Sequence, residues 1–267
     1  MARIPEDDFP ILKKHSDIIL SFAKNFVSNK FRIDESNHFV FMVMCFLTKQ
    51  IEHFISLMSL INAGQFSDST IIARIMMEGM ATISWVSINP DERAYKWRNY
   101  SVITDYKTLL DIKRNGLRYS TDQEKEILER LKVDGNMFLK EPEKKQIDLS
   151  NINEKSYRYT WLFDEEGNYV ETADLFKAGK ANEVYAIYKK MNSWIHWNVL
   201  GIGKMIKRET ENLQFSANKI EEATLAMAAG FASLHYILFI ANECLSLNIH
   251  NELKNIEEAY LNELELK

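Results

Sequence analysis

Residues 223–241 read ATLAMAAGFASLHYILFIA, a stretch of nineteen residues without Asp, Glu, Lys or Arg. An apolar helix of this length can cross a lipid bilayer, and it can equally form the centre of a bundle whose other helices surround it. His235 lies in the middle of the stretch, and Asn242 and Glu243 follow it directly. We therefore predict a buried central helix of an all-α protein, with no membrane association.

The rest of the chain also favours long helices. Its 267 residues include only nine glycines and four prolines, so few positions suit turns. Ser36, Pro90 and Gly116 are typical of helix ends. The predicted helices are 9–29, 36–63, 67–89, 90–116, 121–140, 182–197, 216–247 and 251–264. We predict a single helical domain over residues 1–267, a multi-helix bundle whose excess of apolar helix surface favours a homo-oligomer.

Residues 141–180 interrupt the helical pattern. They contain DEEGN (residues 164–168), a turn-like sequence between two aromatic runs rich in strand-forming residues. We expect an irregular insertion of about 141–180 that includes a small hairpin. An irregular stretch of this length in a compact domain is usually a lid, a partner-binding surface or partly disordered.

Charge and motif content exclude several classes of protein. The net charge of −5 gives no broad basic face for duplex nucleic acid, although Arg93, Lys96 and Arg98 form a local basic group. Cys45 and Cys244 lie in apolar helical runs and are predicted to be buried thiols of a reduced, cytoplasmic protein. The chain has no HExxH motif, Walker loop or dinucleotide-binding glycine pattern, so we predict no cofactor and no metal.

The third predicted helix carries an isolated pair of opposite charges. Arg74 and Glu78 are four residues apart, so they share one face, and apolar residues cover most of the remaining circumference. Burying such a pair is costly unless further hydrogen bonds compensate. The pair either fixes the packing of this helix, or it lines a polar cavity in which Arg74 binds an anion and Glu78 orients Arg74 or acts as a base.

A polar and aromatic stripe precedes and includes KKMNSWIHWN (residues 189–198). Tyr185, Tyr188, Asn192, Ser193 and His196 follow a spacing of three and four residues, which places them on one side of a helix. A histidine at a helix C-terminus is stabilised as a cation by the helix dipole, so His196 can have a purely structural role. The density of polar groups on the stripe favours a functional site.

The segment AYKWRNYS (residues 94–101) interleaves aromatic and basic side chains. Lys96, Trp97 and Arg98 suit stacking on nucleic-acid bases and binding of a phosphate. The same composition is common on an exposed helix surface, where long basic side chains cover apolar area. Both interpretations are kept.

Two of these stretches resemble a known family. ARIMMEGMATISW (residues 73–85), followed by a helix with Tyr, Trp and Arg and then by Tyr-x-x-Tyr and Ser-x-x-His, resembles the uncharacterised bacterial domain-of-unknown-function family 5677. The matching positions are Arg74 and Glu78 in the first stretch, and Tyr188, Ser193 and His196 in the second. This resemblance implies no particular reaction.

A second resemblance is to the HEPN superfamily of small helical toxin and phage-defence proteins. Many of its members are metal-independent ribonucleases built around Arg-x(4–6)-His. The resemblance implies that His196 assists proton transfer from a ribose 2′-hydroxyl while a basic residue stabilises the charge on phosphorus. Lys190 takes the place of the arginine, five residues before His196, and lacks its planar fork. A literal match, RIDESNH (residues 32–38), falls on residues that suit helix capping.

Three functions therefore remain open. The first is a metal-independent ribonuclease, or a related nucleic-acid-directed effector, of a toxin or phage-defence system. The second is a non-catalytic binding or sensor module for an anionic ligand or nucleotide, and the third is a structural, partner-binding helical protein. The candidate catalytic residues are Arg74, Glu78, Lys190 and His196. The candidate substrate-binding residues are Trp97, Arg98, Tyr188, Asn192, Ser193 and Asn198.

Overall fold

A computed structural model of the chain describes residues 6–28, 31, 33–140, 154–178, 182–195, 206–209, 212–215 and 219–265. The α-helices in these ranges are α1 (Phe9–Val27), α2 (His38–Asn62), α3 (Phe66–Val86), α4 (Pro90–Asn99), α5 (Ser101–Arg114), α6 (Thr121–Asp134), α7 (Thr172–Ala178), α8 (Tyr185–Ile195), α9 (Ile220–Leu245) and α10 (His250–Glu265). Two short antiparallel strands, β1 (Ile206–Glu209) and β2 (Asn212–Phe215), form a hairpin. The predicted all-α fold is confirmed.

The chain forms two compact units, residues 1–88 with 172–267 and residues 89–171. In the first unit α9 is the central helix, because it packs against α1, α2 and α3. Its buried positions continue from Glu222 to Asn242 and lie on several sides of the helix. The prediction of a buried central helix at residues 223–241 is therefore confirmed, while the prediction that both units form one domain stays a prediction.

Helices α2 and α9 are each long and apolar enough to cross a membrane, by length and composition alone. The core helix of a bundle meets the same criterion because its neighbours cover it on all sides. In α9, 61% of the most apolar window is buried inside the protein, which fits such a core helix. The absence of membrane association stays a prediction, as do the cytoplasmic location and the homo-oligomer.

Gly230 sets the distance between α9 and α2. A Cβ atom added at Gly230 would lie 2.9 Å from Cε2 of Phe54 and 3.0 Å from Cδ1 of Leu57. Both side chains are fully buried. Since a packed interior leaves them little room to shift, only glycine allows this approach of the two helices.

A Gly230→Val variant is expected to lower the free energy of unfolding by about 1–3 kcal/mol, because its side chain overpacks the interface between α2 and α9. Chemical denaturation followed by circular dichroism measures this change. Ala228→Val is the matched control, since Ala228 is half-buried on the same helix and receives the same β-branched residue. Equal destabilisation by both variants would contradict a specific close approach at Gly230.

The second unit has a small core of its own. Strand-like bridges pair Leu139 with Tyr157 and Phe163 with Tyr169, and the second bridge closes the predicted hairpin around DEEGN. Gly167 adopts φ +87° in this turn, a conformation that favours glycine. The buried core residues are Val102, Ile103, Phe138, Leu139, Tyr157 and Phe163.

Several helix boundaries differ from the prediction. The predicted helix 90–116 is divided at Tyr100, whose carbonyl accepts hydrogen bonds from both Ile103 and Thr104 and so forms a tighter turn. The sequence did not predict α7 inside the expected irregular insertion. It also did not predict the hairpin of β1 and β2, because strands of four residues carry too little periodicity to identify.

The two cysteines were predicted to be buried, and this is wrong. Cys45 is exposed and Cys244 is half-buried. Helix α2 is apolar on most sides, so its sequence pattern does not reveal which stripe faces the solvent, and Cys45 lies on that stripe with Thr48 and Glu52. Burial raises the pKa of the Cys244 thiol to about 11.

Candidate functional site

Helices α3 and α8 bring together the two stretches that the sequence marked as candidates. The two helices pack against each other within the first compact unit, and α7 packs against α3 as well. Arg74 and Glu78 lie one turn apart on α3, and Tyr188 and Asn192 lie one turn apart on α8. Each helix therefore contributes one i, i+4 pair to a common cluster.

Arg74 is the centre of this cluster. Its Nη2 donates to the hydroxyl of Tyr188 at 2.9 Å and forms an ion pair with Oε1 of Glu78 at 2.7 Å. Its Nε donates to Oδ1 of Asn192. The guanidinium carbon also lies 5.1 Å from the centroid of the Tyr188 ring, within range of a cation–π interaction. Three side chains thus fix the orientation of the guanidinium plane.

The other terminal nitrogen of Arg74, Nη1, has no hydrogen bond to any residue in the described ranges. The Arg74 side chain is 18% exposed, so it is not completely buried. Arginine presents its donors as a rigid fork that matches phosphate and carboxylate oxygens. Within the described residues the guanidinium is held at Nε and Nη2 while Nη1 donates to no other side chain, an arrangement that suits the binding of an anion.

Tyr188 connects the two charged groups. Its hydroxyl donates to Oε1 of Glu78 at 2.7 Å while it accepts from Arg74, and the side chain is buried against the ring of Phe176. Burial, followed by the hydrogen bond to the Glu78 carboxylate, raises the pKa of Tyr188. Tyr188 therefore stays protonated at neutral pH and acts as a donor to Glu78.

The ion pair is only partly buried, which differs from the predicted interior position. Side-chain exposure is 18% for Arg74 and 34% for Glu78. The desolvation cost is consequently smaller than for a pair sealed in the core. One oxygen of Glu78 accepts from both Arg74 and Tyr188, and this geometry is typical of a carboxylate that orients its partners.

A cavity of about 160 Å³ lies in the same unit. It involves α3 through Thr70 and α8 through Lys190 and Met191, but none of the side chains of the Arg74 cluster lines it. Sequence reasoning missed Lys219 and Glu222 here, since acidic and basic residues near a helix start are usual. The lining residues are Thr70, Lys190, Met191, Lys219, Glu221, Glu222 and Leu225.

The structure describes the side chains of only some of the remaining candidate residues. Lys190 is exposed on α8 and lines the cavity. Ser193 belongs to α8, but its side chain lies outside the described residues, and so do His196 and Asn198. Trp97 and Arg98 belong to the second compact unit, where both are half-buried.

The basic residues before them do not face a ligand. Arg93 and Lys96 are buried, and Arg93 donates through Nε and Nη2 to the Glu165 carboxylate at 3.1 and 2.9 Å. Lys96 forms an ion pair with Glu92 at 2.6 Å and lies 4.5 Å from the centroid of the Phe163 ring. These two cations attach the DEEGN hairpin to α4, and the nucleic-acid interpretation of Trp97 and Arg98 stays a prediction.

In the ranges that the structure describes, no three His, Cys, Asp or Glu side chains converge in a way that could hold a metal ion.

The fold and the cluster define an all-α protein in which an Arg–Glu pair on one helix is held by a tyrosine and an asparagine from another helix. The family model confirms the resemblance that these residues suggested. The chain belongs to the family of unknown function DUF5677, whose model matches residues 40–213 and so includes the whole cluster. No curated protein and no solved structure matches the chain.

Proposed function

We propose that this protein is a metal-independent ribonuclease, or a closely related RNA-directed effector, of a toxin or phage-defence system. The observation that supports the proposal is the Arg74 guanidinium, which Glu78, Tyr188 and Asn192 orient while its Nη1 carries no hydrogen bond to a described residue. Helix α8, which supplies Tyr188 and Asn192, leads in sequence to Ser193 and His196.

The proposed reaction uses the ribose of the substrate as the nucleophile. His196 accepts the proton of the 2′-hydroxyl, the 2′-oxygen forms a bond to phosphorus, and the bond from phosphorus to the 5′-oxygen breaks. The products are a 2′,3′-cyclic phosphate and a 5′-hydroxyl, whose oxygen takes up a proton. Arg74 donates to a non-bridging oxygen as negative charge develops on phosphorus, and Glu78 with Tyr188 holds Arg74 in place.

The test is cleavage of a single-stranded RNA oligonucleotide by the purified protein in the presence of EDTA. The expected products end in a 2′,3′-cyclic phosphate, which mass spectrometry identifies. A matched oligonucleotide with one 2′-deoxy residue should resist cleavage at that position only, because the nucleophile is missing. No cleavage, or equal cleavage beside the 2′-deoxy residue, would refute the proposal.

A second candidate function is favoured by the cavity of about 160 Å³ in the same compact unit. Lys190 and Lys219 line it together with Glu221 and Glu222, so the lysines can bind the anionic group of a ligand or nucleotide while the carboxylates accept hydrogen bonds from its donors, without chemistry. A ligand that binds only the native state raises the melting temperature by an amount that grows with the logarithm of its concentration relative to Kd. A thermal-shift series with nucleotides, compared between wild type and Lys219→Ala, tests this function. A panel without any shift would count against it.

A further inference from the structure

A second cavity, of about 100 Å³, lies entirely within the second compact unit. Two of its lining residues are exposed tyrosines, Tyr159 at 69% and Tyr169 at 47%, and their ring centroids are 5.2 Å apart. Two exposed aromatic rings beside each other form a patch that a planar ligand can cover. The lining residues are Lys140, Arg158, Tyr159, Thr160, Leu162, Phe163 and Tyr169.

Two cations border these tyrosines. The Arg158 guanidinium lies 4.5 Å from the centroid of the Phe163 ring, and its Nη1 donates to the carbonyl of Gly167 at 2.5 Å. Its Nε is buried and has no hydrogen-bond acceptor among the described residues. Lys140 is exposed, and its Nζ donates to the carbonyl of Lys155. Within the described ranges neither cation forms an ion pair with a carboxylate.

The hairpin and the bridges of this unit hold the arrangement in place. Tyr169 pairs with Phe163 across the DEEGN turn, and Phe163 is buried in the core. Leu139 and Tyr157 pair in antiparallel fashion, so Lys140 lies opposite Ser156 and Arg158 lies opposite Phe138, one on each side of that bridge. Both cations line the cavity. The backbone N–H of Arg158 donates to the carbonyl of Phe138 at 2.8 Å, which fixes this register. The paired backbone therefore holds the two tyrosines and the two cations around the same cavity.

We propose that this cavity binds an unpaired nucleotide of single-stranded nucleic acid, with the base stacked on Tyr159 and Tyr169 and the phosphate bound by Lys140 and Arg158. Exposed aromatic faces next to basic groups are the combination that single-strand-binding proteins use, because every base has a π face and every linkage a negative charge. A base held in a duplex cannot reach a cavity of this kind without leaving its stack. The inference rests on the proposed function only in that RNA is the expected strand.

The test is fluorescence anisotropy with labelled oligouridylate that is 2′-O-methylated and therefore cannot be cleaved. Tyr159→Leu/Tyr169→Leu keeps apolar side chains but removes both aromatic faces, and it is expected to raise Kd by about tenfold or more. Tyr159→Phe/Tyr169→Phe keeps the faces and loses only the hydroxyls, so its Kd should stay close to that of wild type. Equal affinities of the Leu and Phe pairs would overturn stacking.

The salt dependence of binding tests the cations separately. Lys140→Ala should reduce the slope of log K against log salt by about 0.7, the contribution of one phosphate contact to a single strand. Lys132→Ala is the matched control, since Lys132 is an exposed lysine of the same unit that does not line the cavity. A slope that changes equally in both variants would overturn the phosphate contact.

Two further ligands show whether the cavity recognises a strand or a single nucleotide. Oligothymidylate is expected to bind with the same dependence on the tyrosines, whereas uridine monophosphate should bind much more weakly than the strand. Equally tight binding of the mononucleotide would overturn the assignment to a strand. Because none of these ligands is cleaved, the binding result stands even if the ribonuclease proposal fails.

Discussion

A His196→Ala variant is expected to lose RNA cleavage by about 10²–10⁴-fold, the usual contribution of a general base or acid. In the proposed reaction the imidazole accepts the proton of the 2′-hydroxyl, and alanine offers no acceptor in its place. The initial rate of cleavage of the RNA oligonucleotide in EDTA measures the loss. The melting temperature should change little, so that the loss of activity is not a loss of folded protein.

A second histidine serves as the matched control, because it shows whether the loss of any histidine lowers the cleavage rate. His250 is exposed at the start of α10, and His250→Ala should leave the cleavage rate unchanged. Full cleavage activity in His196→Ala would contradict the assignment of His196 as the base. The proposed reaction, in which His196 accepts the proton of the 2′-hydroxyl, would then be wrong.

The sequence predicted much of the fold because the helical period is strong. The uncharged stretch at 223–241 indicated the central helix, and the scarcity of glycine and proline indicated few turns. Periodicity says which residues share a helix face, but it does not say which neighbouring helix covers that face. Cys45 illustrates this limit, since α2 is apolar around most of its circumference and one of its stripes is nevertheless exposed.

The sequence predicted the two pairs of site residues, but it did not predict that the two pairs lie against each other. The spacing of Arg74 and Glu78, and that of Tyr188 and Asn192, each placed two side chains on one helix face. Their meeting depends on how α3 packs on α8, a contact between residues more than a hundred positions apart that leaves no local signal. The same reason explains Arg93, whose partner Glu165 lies 72 residues further along the chain.

The packing interpretation of the Arg74 cluster predicts a specific stability pattern. In Arg74→Met/Glu78→Leu the buried hydroxyl of Tyr188 keeps none of its partners, and an unsatisfied buried hydroxyl costs about 1–3 kcal/mol. Adding Tyr188→Phe removes that hydroxyl while the ring stays against Phe176. The triple variant should therefore regain most of the lost stability, and chemical denaturation of both variants measures the difference.

Activity of the same triple variant separates packing from function. A charge pair that only specifies packing can be replaced by apolar residues with little or no loss of stability, and then nothing else should change. If Arg74 instead donates to the phosphate, the triple variant should remain folded while RNA cleavage falls by about 10²–10³-fold, the effect of removing one donor to a developing negative charge. A stable triple variant that cleaves RNA at the wild-type rate would leave the cluster with a packing role alone. A stable but inactive one would require that at least one of Arg74, Glu78 and Tyr188 acts in the reaction or in binding its substrate, because the fold would then be intact without them.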